Sequence, residues 1–130
     1  MSKNQDTLIA PICDSIITSA RASLTTYDGR VTEFNVAAWL QAPGLSSFPV
    51  SLLVRYSDGG AQREVFVDHG KLNAKGKILL AGIARLPFKK KIEAMKIHLR
   101  SAVPIKGLLV DELFVQAVET VETRADRLQA

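Results

Sequence analysis

The chain holds few side chains able to do chemistry: one cysteine, Cys13, two histidines, His69 and His98, and one tryptophan, Trp39, among 17 Lys and Arg and 13 Asp and Glu. Covalent catalysis needs a nucleophile beside a base that a third group orients. Cys13 closes the apolar run at residues 8–13 and reads as a small buried hydrophobe rather than a reactive thiolate. His69 stands between Asp68 and Gly70, where a turn role is expected; His98 alternates with Lys96 and Arg100 as an exposed strand histidine would. No G-x-S-x-G, H-E-x-x-H, Walker or Rossmann glycine pattern occurs. Residues 70–78 come nearest to a phosphate loop, but the first glycine is one residue too distant and Ile78 replaces the magnesium-binding hydroxyl.

Acid pairs and metal ligands fare no better. Asp111 and Glu112 are adjacent, so on a strand they point to opposite faces and do not form a glycosidase pair together. Asp58, Asp68 and Asp111 lie far apart in sequence, unlike the ligands of a calcium loop, and one thiol with two histidines is too few for a zinc site of the usual kind. The expectation is a non-catalytic chain with no cofactor and no metal. The acidic start of a late strand, Asp111-Glu112 before Leu113-Phe114, is similar to that of some carbohydrate-binding jelly rolls, over residues 111–116 only, and assigns no family.

Binding chemistry is better represented. Trp39 falls on the polar side of a strand whose Phe34, Val36, Ala38 and Leu40 face a core, in company with Asn35 and Gln41. An outward ring beside amides suits either stacking on a sugar or a protein contact. Tyr56 is a further candidate for ligand contact, and with Tyr27 also reads as closing a turn or edge. Charge is strongly divided: net −2 over residues 1–68, +9 over 69–106 and −3 over 107–130. The anion-binding candidates in the basic middle are Lys71, Lys75, Lys77, Lys89, Lys90, Lys91, Lys96 and Arg100. Phe88 is the one aromatic among them and lysine outnumbers arginine, which suits diffuse electrostatics better than base reading, and lysines also keep turns and edge strands soluble. Three partner classes follow in order: a protein or second copy meeting outward Trp39, Leu53 and Leu79; a carbohydrate on Trp39; and a polyanion or nucleic acid on residues 71–106.

The elements that would carry these residues alternate with period two. Strands are expected through residues 22–26, 34–40, 50–56, 65–67, 78–86, 95–99 and 109–116, punctuated by Asp28-Gly29, Pro43-Gly44, Asp58-Gly59-Gly60 and Gly76. The run at 78–86 is apolar on both faces, as in a central strand, and Gly82 at its middle marks a close backbone approach or bulge. Before them, Leu8, Ile9, Ile12, Ile16 and Ile17 have helical spacing, with Asp6 or Thr7 as cap and Pro11 in the first turn; an edge strand over residues 16–24 is the alternative. The fold class is therefore a mainly all-β antiparallel sandwich or jelly roll with a short N-terminal helix. It divides into an N-terminal helix or edge element at 1–18, a sandwich domain at 19–118 and a C-terminal tail at 119–130.

Length and composition agree. With 130 residues, 47% hydrophobic and 23% charged, the chain suits one core. No apolar run reaches the roughly 20 residues of a membrane helix, and the apolar run ending at Cys13 is too short for a signal peptide, while Ile12 is too bulky for lipoprotein processing. A cytoplasmic protein is expected.

Overall fold

The computed structural model describes residues 5–20, 24–26 and 29–118. Among these residues, eight strands and one short helix follow in the order β1 (Gln5–Pro11), α1 (Asp14–Ser19), β2 (Leu24–Thr26), β3 (Gly29–Gln41), β4 (Pro49–Asp58), β5 (Ala61–Lys71), β6 (Lys77–Phe88), β7 (Ile92–Ser101) and β8 (Leu109–Ala117). Two antiparallel sheets result. One has the order β1-β7-β4-β5; in the other β3 is central, with β6 on one side and β8 and β2 sharing the opposite side. The fold is a β-sandwich, as the alternation predicts.

Its core is the sum of the inward parities. Phe34, Val36, Ala38 and Leu40 of β3 and Leu80, Ala84 and Leu86 of β6 meet Val50, Leu52, Val54 and Tyr56 of β4 and Met95, Ile97 and Leu99 of β7, all buried. Each large side chain removed from water in this way contributes roughly 1.5–3 kcal/mol. Tyr56, expected as a ligand contact, belongs here: it is 1% exposed, and its hydroxyl donates to the Pro87 carbonyl at 2.7 Å across the sandwich. Burial pushes its phenol up to about 12.

Other expectations are corrected. Residues 5–11 form an edge strand paired with β7, and the helix is confined to Asp14–Ser19; the apolar spacing at 8–12 instead follows β1, whose register slips between Leu8 and Ala10. Pro11 is tolerated because it ends an edge strand. The run through β6 is not central. β6 lies at a sheet edge, one face in the core and the other, Leu79, Ala81 and Ile83, turned outward and exposed. Leu53, expected outward, is 0% exposed although it stands in register with His98 on the outer side of its sheet. Ala22, Tyr27, Asp28 and the tail expected at 119–130 fall outside the described residues.

The free edge of β6 is closed by β5. Asp68 accepts the His69 backbone N–H at 2.8 Å and the Ala81 backbone N–H at 3.0 Å, tying the two sheets together. Beside this link Gly82 comes so close to β5 that a Cβ would lie 2.7 Å from the Val67 carbonyl oxygen. Backbone on both sides leaves little room to yield, so Gly82→Ala is expected to cost about 2 kcal/mol, read as a lower urea midpoint with an unchanged slope. An unaltered midpoint would show that β5 and β6 separate freely.

Candidate functional site

The outer face of the β6-β3-β8 sheet carries the site. Along β3 the outward parity reads Gln41, Trp39, Ala37 and Asn35, successive residues about 6.7 Å apart. On β8, Glu112 lies beside Trp39, Phe114 beside Ala37 and Gln116 beside Asn35. On β6, Leu79 lies beside Trp39, Ala81 beside Ala37 and Ile83 beside Asn35. Trp39 is 48% exposed and Phe114 49%, an amount of free ring that a core position would not leave. The two rings are diagonal neighbours across β3 and β8, roughly 7–8 Å apart at their backbones. Asn35, Gln116 and Glu112 flank them, exposed, with Gln41 half-buried.

The local sequence explains this face. A bulge between Trp39 and Leu40 leaves Asp111 of β8 without a partner on β3, so that beyond Glu112 it is Leu109 rather than Val110 that stands beside Gln41. Ala37 and Ala81 form a low floor between the larger side chains, and together with Asn35, Gly82, Ile83 and Phe114 they line a shallow depression. Of the sequence candidates, Trp39, Asn35 and Gln41 are brought together here, and Tyr56 is not. Phe114, Gln116 and Ile83 were missed as site residues. Their signal lay in parity: Phe114 shares its face with Glu112 and Gln116, two polar neighbours that mark an outward row.

The anion-binding candidates are dispersed. Lys71, Lys75 and Lys77 stand at one end of β6 and Lys89, Lys90 and Lys91 at the other, a separation of about 40 Å along the strand. Lys96 and Arg100 lie on the outer face of the other sheet. Arg100 is engaged there: it donates to Asp6 at 2.8 and 3.0 Å and to Glu64 at 2.8 and 3.0 Å, while Arg55 bonds both carboxylates. The Arg100 and Arg55 guanidinium groups hold Glu64 below the usual carboxylate range. This network fastens edge strand β1 to β7 and reaches across β4 to β5.

The reactive side chains do not converge. Cys13, expected buried, is exposed at the start of α1, and its Sγ lies 3.1 Å from Ser15 Oγ, the contact that most lowers its thiol pKa. His98, expected on a solvent row, is half-buried with Nδ1 enclosed and unpartnered among the described residues; burial, then Arg55, depresses its pKa. His69 is exposed at the end of β5. Asp58 accepts three backbone N–H groups, from Lys89 at 2.8 Å, Lys90 at 2.8 Å and Lys91 at 3.2 Å, so it is a structural anchor. Among the described residues no group of three His, Cys, Asp or Glu is placed to hold a metal ion.

No protein-family model matches the chain, and comparison with curated proteins gives no match. Among solved structures the chain is similar to one from Clostridium thermocellum, the CBM22-1 and GH10 modules of endo-1,4-beta-D-xylanase 10B complexed with xylohexaose. The TM-score is 0.55 at 9% identity, over 89% of this chain and 25% of that one. The chain thus spans a quarter of that protein's length, and the likeness is one of fold: an antiparallel β-sandwich.

Proposed function

We propose that the chain is a non-catalytic binding module that holds an extended carbohydrate along β3 and β8, with Trp39 and Phe114 as stacking rings. The observation that carries this reading is the placement of two half-exposed rings on one sheet face. Sugar rings present apolar C–H faces and polar edges. Trp39 and Phe114 suit the faces, and Asn35, Gln41, Gln116 and Glu112, interleaved at neighbouring positions, suit the hydroxyls. The fold likeness to a structure containing a carbohydrate-binding module adds support for this class of ligand.

A second reading is favoured by the β6 half of the face. Leu79 and Ile83, 44% and 51% exposed, are aliphatic and widen the apolar surface toward what a protein partner or second copy would cover. One experiment separates the two. Calorimetric titration with xylohexaose, cellohexaose, laminarihexaose and mannohexaose, alongside sedimentation at several protein concentrations, is expected to give saturable binding of at least one oligosaccharide by a monomer. No heat with any glycan, together with a mass that rises with concentration, would replace the carbohydrate reading by self-association.

A further inference from the structure

A second site lies away from the Trp39 face, at the end of the sandwich where β3 begins. There a cavity of about 260 Å³ opens between α1, the start of β3 and the turn from β6 into β7. Its apolar part is made by Ile17 and Ala20 beside α1, Phe88 at the end of β6 and Ile92 at the start of β7. Its polar part is cationic: Arg30, Lys90 and Lys91 all line it, and among the described residues no lining residue is a carboxylate. None of the three cations joins an ion pair among the described residues, whereas Arg55, Arg63, Arg85 and Arg100 all do. Three unneutralised cations around apolar walls repel one another unless an anion joins them.

The turn that presents two of these cations is rigidly held. Asp58, buried, accepts the backbone N–H groups of Lys89, Lys90 and Lys91, and Gly59 N–H donates to the Lys91 carbonyl at 3.2 Å. That arrangement consumes the amides and leaves the ammonium groups of Lys90 and Lys91 for a ligand. Pre-organisation of this kind lowers the ordering cost of binding.

We propose that this cavity binds a small single-chain amphipathic anion, its hydrocarbon chain against Ile17, Ala20, Phe88 and Ile92 and its anionic head between Arg30, Lys90 and Lys91. At roughly 30 Å³ for each water-sized group, the volume holds about nine non-hydrogen groups, enough for a chain of about six to eight carbons alone, with the anionic head at the rim among the exposed side chains of Arg30, Lys90 and Lys91. Both halves of the cavity are needed: the apolar wall supplies area-dependent affinity and the cations select the sign of the head.

The test uses octyl phosphate as the probe, with octanoate as the second anion and 1-octanol, octyltrimethylammonium and inorganic phosphate as controls, titrated against the full chain by calorimetry. Octyl phosphate and octanoate are expected to bind at one saturable site. Each control should bind at least about tenfold more weakly, since it lacks either the head or the chain. Arg30→Ala and Lys91→Ala should each weaken octyl phosphate about tenfold at unchanged unfolding temperature, while Lys77→Ala, at the far end of β6, should leave it unaltered. Octanol binding as well as octyl phosphate, inorganic phosphate binding as well, or no saturable binding of octyl phosphate would each overturn the proposal. The oligosaccharide titration addresses a different face, so either site can fail without the other.

Discussion

Asp58→Ala is expected to lower the midpoint of thermal unfolding by on the order of 10 °C. Asp58 is 5% exposed, and its two oxygens accept the three consecutive backbone N–H groups of Lys89, Lys90 and Lys91 and the Arg63 Nε–H at 3.1 Å. Removing the carboxylate leaves several donors at one turn without their acceptor. Asp58→Asn keeps one acceptor oxygen and should fall between the wild type and alanine. Calorimetry of the three chains checks the order, and an alanine variant as stable as the wild type would show that water replaces the carboxylate at no cost.

The same contact sets the response to acid. The Lys89 amide, ahead of those of Lys90 and Lys91, holds the Asp58 carboxyl below its ordinary 3.8, and Arg100 holds Glu64 below its ordinary 4.5. A carboxyl whose pKa is lower folded than unfolded contributes stability that is complete above the unfolded value and is lost as pH falls through the folded one. His98 acts earlier. Burial lowers its pKa from the ordinary 6.5, so the folded state keeps it neutral and stability declines as pH drops below that value. Urea midpoints measured from pH 8 to 3 should therefore decline in two stages. His98→Gln should remove the upper stage, and Asp58→Ala should flatten the lower.

Trp39→Ala carries the other large effect: a rise of about 30-fold or more in the dissociation constant for whichever hexasaccharide binds. Trp39 stands at the middle of the face, between Leu79 and Glu112, and is a large rigid ring with nearly half its surface free. A central aromatic anchor of that kind dominates an interface more than its neighbours do. Phe114→Ala should weaken binding less, and Leu79→Ala least, because an aliphatic chain offers no ring face. Since Trp39 points away from the core, the variant should unfold at the wild-type temperature. Equal binding by wild type and Trp39→Ala would remove Trp39 from the site.

Much of the architecture was legible because one-sided burial writes itself as period two. β3, β7 and β8 follow their alternation closely, β4 does so except at Leu53, and the closeness foreseen at Gly82 is met by the Val67 carbonyl. The N-terminus misled for a physical reason. In residues 8–17 a strand of irregular register is followed directly by a short helix, and apolar residues shared between the two imitate one helical stripe. β6 misled because a strand apolar on both faces looks the same whether its second face is covered by protein or left open. Pairing lies outside what alternation encodes, so the union of Trp39 with Phe114 and the division of the lysines between two ends required the sheet order. Tyr56 shares the inward parity of Val50, Leu52 and Val54, which the alternation does encode, whereas Leu53 is enclosed on the outer side of its sheet beside a register shift that the alternation does not show.

The most direct test of the carbohydrate reading is an amide chemical-shift map of the isotopically labelled chain, recorded with and without a saturating amount of the hexasaccharide that gives the strongest heat. The account predicts shifts centred on Ala37, Trp39 and the Phe114 row, together with the Trp39 indole N–H, while the Arg100 network on the opposite sheet stays still. Shifts confined to the opposite sheet, or none at saturation, would contradict it.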